Sequence, residues 1–268
     1  MRKSTACFNP HSNSNNLIIL SILGIIPARY ASTRFPGKPL VMIEGKTMIR
    51  RVYEGALAAA ITDDLVVATD DSRIFDEVKS FGGNSLMTSP GHSSGTERCR
   101  EALDSWEKLR NTRFDHVINI QGDEPFIQPD HLQKVAFLLI VKMAQVATLV
   151  HKIDDPDSVA DPNVVKVVMA EDNTALYFSR SSIPYDRRGE PGGNTPGLVY
   201  LKHIGIYGYQ SQILREITQL KPTALEKAES LEQLRWLGHG IRISLATTSV
   251  ESIAVDVPAD LLKITNRT

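Results

Sequence analysis

Short apolar runs alternate with amphipathic stretches between residues 17 and 140, and that alternation is what most restricts the fold of this chain. Leu17–Ile26, Leu65–Ala68 and Asp115–Ile120 are rich in Ile, Val and Leu and bounded by polar loops, as buried strands are, and Asn84–Met87 is a shorter one. Helical patterns fall between them. One opens at Thr47 and carries Met48, Ile49, Val52 and Leu57. Another covers about 72–81 and is closed by Gly82-Gly83, and a further one starts near Pro129. Strand followed by helix, repeated, predicts an α/β fold: a mostly parallel, Rossmann-like sheet with helices on both faces.

After residue 140 the rhythm changes. Val146–Val150, Val164–Met169 and Ala175–Phe178, with a turn at Glu171-Asp172-Asn173, predict an antiparallel subregion over about 145–210. Ile204–Tyr209 and Ile241–Ala246 read as strands, Leu225–Leu237 as one helix and Ala259–Ile264 as the last helix. Residues 186–197, rich in Gly and Pro, are expected to form a loop. Residues 17–268 are expected to form one domain behind a disordered, Asn/Ser-rich tail at 1–16.

Composition excludes several functions. A net charge of −1 supplies no global field for nucleic acid, so an anion site must be built locally. Cys7 and Cys99 have neither disulfide-framework nor metal-ligand spacing, and the absence of C-x-x-C and H-E-x-x-H disfavours zinc. Leu17–Ile26 follows Arg2 and Lys3 and imitates a signal peptide. As a helix it would span only ~15 Å, against a hydrocarbon core of ~30 Å, and no A-x-A site follows. It is read as the first strand, no other segment approaches a membrane span, and the protein is expected to be cytoplasmic.

The stretch Ile25–Leu40 runs I-I-P-A-R-Y-A-S-T-R-F-P-G-K-P-L. At the carboxyl end of a strand it would lie where open α/β sheets bind ligands. Arg29, Arg34 and Lys38 concentrate positive charge, Ser32 and Thr33 add donors, and the prolines restrict the backbone. Such a loop suits a triphosphate; the simpler alternative is a solvated basic loop. Gly45-Lys46-Thr47 imitates the end of a Walker A motif, but Leu40 stands where the earlier glycine is required.

Five further blocks carry chemistry. Asp123, in Gln121-Gly122-Asp123-Glu124-Pro125, follows a strand, and Asp256 lies in Val255-Asp256-Val257-Pro258-Ala259-Asp260. Together they could hold Mg2+, which takes one or two carboxylates plus phosphate oxygens, although Asp256 also suits a helix cap. Gly91–Arg98 lets a base or sugar approach the backbone, or merely caps a helix at Ser94 or Thr96. Arg180, in Tyr177–Pro184, can pair with a carboxylate of a ligand or with a neighbouring acid. His203, in His203–Tyr209, is either a ligand contact or a satisfied, partly buried residue.

Taken in order, these blocks resemble the sugar-acid cytidylyltransferases, above all those that activate 3-deoxy-manno-octulosonate (Kdo). The loop at 25–40, H-x-S-G-T-E-R at 92–98, Q-G-D-E-P at 121–125, Y-F-S-R-x-x-I-P at 177–184, H-x-G-I-Y-x-Y at 203–209, L-E-Q-L-R at 231–235 and V-D-x-P-x-D at 255–260 span residues 24–262. The resemblance implies a nucleotidyltransferase fold, a homodimer, and transfer of a cytidylyl group from CTP to Kdo for lipopolysaccharide synthesis. It implies nucleotide contacts from Ala28, Arg29, Ser32, Lys38, Thr69, Asp70, Ser94, Gly95, Thr96, Arg98 and Gln121. It implies catalytic roles for Arg29, Lys38, Asp123 and Asp256, with Mg2+ on Asp123 and Asp256. Sugar contacts are implied for Gln121, Arg180, His203, Tyr207, Glu232 and Gln233. A relative activating another acid such as sialate, a glycosyltransferase and a non-catalytic nucleotide-binding protein remain alternatives. A pyrophosphate-release assay with each sugar acid separates them.

Overall fold

In the computed structural model, residues 20–31, 35–188, 195–251, 255 and 257–261 are described. The first half contains β1 (Ile22–Ala28), the two-residue strands β2 (Met42–Ile43) and β3 (Lys46–Thr47), α1 (Met48–Ala58), β4 (Asp64–Thr69), α2 (Ser72–Ser80), β5 (Ser85–Met87), α3 (Gly95–Arg110), β6 (His116–Asn119) and α4 (Pro129–Ile140). The second half contains β7 (Val146–Lys152), α5 (Pro156–Ala160), β8 (Lys166–Met169), β9 (Ala175–Ser179), β10 (Leu201–Gln210), α6 (Ser211–Ile217), α7 (Ala224–Glu229), α8 (Gln233–Gly238) and β11 (Ile243–Thr248).

The sequence signals act where they were read. Thr47 caps α1, accepting the Arg50 N–H, and Ser94 caps α3, accepting the Glu97 N–H. Beyond α2, Gly82 has φ 81; its N–H reaches the Lys79 carbonyl while that of Gly83 reaches Val78, a Schellman closure. The stretch 225–237 is not one helix. Ser230, at φ 53, ends α7, and α8 begins only at Gln233. The short elements α5, α6 and the β2–β3 hairpin lay below what periodicity resolves. The expected tail at 1–16 lies outside the described residues, as do 189–194 of the expected loop and 262–264 of the expected last helix.

The main sheet runs β11-β7-β10-β6-β1-β4-β5, with β8 pairing β10 and β9 at one side. Along that path β10 alone is reversed: it is antiparallel to β6 and β7, while β11–β7, β6–β1, β1–β4 and β4–β5 are parallel. The β8–β9 and β8–β10 pairs supply the antiparallel addition expected from the sequence. Alternation along β1 sends Leu23 and Ile25 to one face, with Cys99, Leu103 and Trp106 of α3 and Trp236 of α8. It sends Ile22 and Ile26 to the other, with Val52 of α1, Val78 of α2 and Leu139 of α4. The sheet thus separates two apolar layers, which explains why its strands are apolar almost throughout.

Strand order places the site. From β1 the chain steps outward to β4 and β5, then returns through α3 to β6 on the other flank of β1. The crevice at the carboxyl ends of β1 and β6 is therefore the topological switch point, where open sheets take ligands.

Candidate active site

A cavity of about 250 Å3 opens at that switch point. Pro27, Ala28 and Arg29 line it from the end of β1, Lys38 and Pro39 from the following loop, and His92–Gly95 and Arg98 from the start of α3. Gln121, Gly122 and Asp123 close it from the end of β6. Gly122 is needed for the fit: a Cβ there would stand 2.8 Å from the backbone oxygen of Pro27, with 3.0 Å the practical floor for such contacts. Of the residues the resemblance assigns to nucleotide and catalysis, Ala28, Arg29, Lys38, Ser94, Gly95, Arg98, Gln121 and Asp123 all line this one opening. Ser32, Thr33, Arg34 and Asp256 lie outside the described residues.

Charge at the centre is paired. Lys38 Nζ donates to Asp123 Oδ2 at 2.9 Å and to the Val255 carbonyl at 2.9 Å. The Val255 N–H in turn reaches the Asp123 carbonyl at 2.9 Å. Lys38, Asp123 and residue 255, from three distant parts of the chain, are thus tied together, and position 256 follows directly in sequence. Asp123 supplies hard carboxylate oxygens of the kind Mg2+ takes. Among the described residues, no three His, Cys, Asp or Glu side chains gather into a metal cage.

Arg98 is 4% exposed and pinned, with Nη2 2.8 Å from Asp70 Oδ2 and Nη1 2.6 Å from Thr88 Oγ1. Asp70 follows β4, whose last residue, Thr69, is buried and accepts the Asp71 N–H. Asp70 thus bears on the cavity through Arg98, and neither it nor Thr69 lines the opening. Removing one partner of so buried a pair costs ~3–5 kcal/mol.

The residues assigned to the sugar acid are more dispersed. Gln121 Nε2 donates to the Gly205 carbonyl of β10 at 2.7 Å, joining the cavity to that strand. His203 Nε2 lies 3.0 Å from Thr148 Oγ1, whose proton has carbonyls of Ile204 and Ile206 to serve, so the imidazole acts as donor. Desolvation holds His203 down, at about 4, and its ring packs against Phe178 and Tyr207. Tyr207 and Tyr209 stack 6.0 Å apart, and burial pushes both phenols well above their ordinary range. Glu232 accepts from Ser94 Oγ and Thr96 Oγ1; burial raises its carboxyl, opposed by those two hydrogen bonds. Gln233 is buried at the start of α8.

Arg180 is not among the cavity-lining residues. Its Nε donates to the Glu229 carbonyl at 2.8 Å and Nη1 to the Pro162 carbonyl at 2.9 Å. The Arg180 N–H reaches Glu229 Oε2, and the fully buried Lys166 holds the Arg180 carbonyl at 2.6 Å. Sequence reasoning missed His92 and Ser93 as lining residues, although both sit in the H-x-S-G-T-E-R block. His92 Nε2 is bonded to Glu101, and its other nitrogen lies 3.9 Å from Glu97.

The family described as "Cytidylyltransferase" matches residues 23–243. A 3-deoxy-manno-octulosonate cytidylyltransferase of Cytophaga hutchinsonii is 50% identical over 248 residues, covering 92% of this chain and 97% of the relative. One from Bacteroides thetaiotaomicron is 51% identical over 245 residues, covering 90% and 96%. The structure of a CMP:2-keto-3-deoxy-manno-octonic acid synthetase complexed with CTP superposes with a TM-score of 0.82 at 42% identity, covering 92% of this chain and 98% of the other. A 4-diphosphocytidyl-2C-methyl-D-erythritol synthase from Anaerococcus prevotii, at 11% identity and a TM-score of 0.56, shares the fold.

Proposed function

The chain belongs to the cytidylyltransferase family, and from that membership and the switch-point cavity we infer how it acts: it transfers the cytidylyl group of CTP to 3-deoxy-manno-octulosonate, giving CMP-Kdo and pyrophosphate. The observation that carries this reading is the set of cationic and hydroxyl side chains around one opening: Arg29, Lys38, Ser94 and Arg98, with Asp123 among them.

The chemistry requires that set. A triphosphate and a sugar carboxylate must be brought together, and two like charges about 4 Å apart repel by about 4 kcal/mol at an effective dielectric near 20. Arg29 and Lys38 offset that repulsion and stabilise charge growing on the leaving pyrophosphate. The anomeric C2 hydroxyl attacks the α-phosphorus in line, directly, with no protein nucleophile. Asp123 and Asp256 would hold Mg2+, which when bound supplies Lewis acidity at the α-phosphate. Gln121, bonded to β10, orients groups at the junction of the two substrates. His203, neutral at physiological pH because burial depresses it and with Nε2–H given to Thr148, offers its Nδ1 acceptor to the sugar, together with Tyr207, Glu232 and Gln233. Arg180 is assigned the sugar carboxylate, for which three guanidinium N–H groups remain beyond the two given to the Glu229 and Pro162 carbonyls.

Further parts of the reading are proposals of the same kind. Residues 17–268 act as a single domain, and 145–210 serves the sugar and the contact between two copies of a homodimer. Leu176, Tyr185 and Val199 expose apolar surface there, which supports that use. The reaction is placed in the cytoplasm, as an activation step for lipopolysaccharide. No helix among the described residues is long and apolar enough to cross a membrane. The test is pyrophosphate release: CTP with Kdo and Mg2+ should turn over, and CTP with sialate should not. Absence of pyrophosphate with Kdo would overturn the reading.

A further inference from the structure

The first turn of α3, in the nucleotide cavity, is held by a carboxylate from the sugar side. Ser94 Oγ donates to Glu232 Oε1 at 3.0 Å, and Thr96 Oγ1 donates to Oε2 at 2.8 Å. The two partners are separated from Glu232 by 138 and 136 residues. Ser94 is the N-cap of α3, so the same hydroxyl that organises the helix start is engaged by Glu232. A carboxylate is favoured there by the helix dipole as well.

Glu232 has given up a local role to do this. It stands at the N-cap position of α8, yet its side chain makes no capping bond to that helix. The break at Ser230 that separates α7 from α8 carries residues 231 and 232 across to α3. Glu232 also faces a buried region with unmet polar groups. Among the described residues the hydroxyl of Tyr207 and Nε1 of Trp236 have no hydrogen-bond partner, while the Tyr209 hydroxyl lies at Thr96. All three rings pack together, with centroids 5.2 to 6.0 Å apart, and both phenols feel the Glu232 charge. Buried polar atoms in native proteins are normally satisfied, so this region is short of partners until something polar enters it. Burial disfavours the charge on Glu232 even with two donors in place, so an added hydroxyl donor would stabilise the carboxylate.

We propose that Glu232 is a positioning residue that couples the two substrate sites: it fixes Ser94 and Thr96 for the nucleotide, and a polyhydroxylated sugar acid, by donating to the oxygen lone pairs left over, tightens that hold. This rests on the function proposed above, in which the sugar acid binds beside Tyr207. Coupling between sites is reciprocal, so each substrate strengthens the other's binding by the same factor.

The experiment is calorimetric titration of the full chain with an α,β-methylene analogue of CTP, which cannot react, without and with saturating Kdo. Wild type should bind the analogue about 5-fold or more tightly with Kdo present, within the usual range of such couplings. In Glu232→Gln, where one hydroxyl meets an amide N–H in place of an acceptor, the ratio should fall to near one. The milder Thr96→Val should reduce it and Thr96→Ser should restore it. A role confined to stability would lower the melting temperature and leave the ratio unchanged, and that result overturns the proposal, as does a wild-type ratio of one. Wild-type pyrophosphate release is measured alongside. If it is absent, the function is wrong; if it is present with no coupling, the function stands and only the coupling falls.

Discussion

The nucleotide side and the sugar side of this molecule are assembled in different ways. On the first, side chains from β1, its following loop, α3 and the end of β6 line one opening, close together because the strand order makes them so. On the second, Arg180, His203, Tyr207, Glu232 and Gln233 come from β10 and from segments beside β9, α7 and α8, and several are held by internal partners. A triphosphate is met by loops at strand ends, which the switch point gathers without further design. The sugar acid, in the function proposed, is met by side chains whose positions depend on packing across the sheet.

Substitutions on the nucleotide side should therefore act on chemistry, and those on the sugar side should divide between substrate and scaffold. Asp123→Asn should cost at least ~10²-fold in kcat, the scale of losing one key electrostatic group. Near-normal pyrophosphate release by that variant would remove the metal assignment. Lys38→Ala should lower kcat/KM for CTP by about 10-fold or more, since charged hydrogen bonds contribute ~1.5–3 kcal/mol. Its melting temperature should fall as well, because Lys38 Nζ ties Asp123 to the Val255 carbonyl, and an unaltered kcat/KM would discard the phosphate role.

Gly122→Ala forces a methyl against the Pro27 carbonyl and should destabilise by ~1–3 kcal/mol in urea unfolding while weakening CTP use. If CTP use were untouched, the tight approach of β6 to β1 would be a matter of packing alone. Arg180→Ala should raise KM for Kdo more than KM for CTP. Because Arg180 also bridges the Glu229 and Pro162 carbonyls, it should also lower stability by about 1 kcal/mol, the usual worth of such bonds. A change confined to CTP kinetics would show that the two sides have been drawn wrongly.

The smallest effect is that of acid on His203. Its folded value, about 4, lies below the 6.5 of the free imidazole, so the unfolded chain takes up the proton first. Stability is full above pH 6.5 and declines as pH falls towards 4. His203→Gln should make that decline shallower in urea midpoints measured at pH 7 and pH 5. Burial depresses His116 and His131 as well, so some slope should remain. An unchanged slope would mean that the ring is more hydrated than its packing indicates.

The same contrast decides what could be read from the amino acids alone. Thr47, Gly82-Gly83 and Ser94 announce helix ends through local hydrogen bonds, and the structure uses all of them. The loop at 25–40 could be placed because an apolar run precedes it and cations fill it. The break between α7 and α8 could not, because residues 225–237 keep a helical pattern, and Glu232 beyond the break bonds a pair of hydroxyls more than 130 residues away. The internal engagement of Arg180 was equally invisible: its partners are backbone carbonyls, which every residue possesses. His92 was visible in its block, yet only the cavity shows that it faces the ligand side.

The reversed direction of β10 has one more consequence. Tyr207 is level with Asn119, the last residue of β6, so residues 201–206 project past the end of that neighbour; 201–204 stay paired to β7 and 201–202 to β8, with a break in register at 205–206. In the function proposed above, the second substrate is bordered by this largely hydrogen-bonded ribbon rather than by a free loop. A lineage adapting to a different acid would have to exchange alternate side chains on a fixed backbone, one position at a time, because lengthening or shortening this wall would unzip the middle of the sheet.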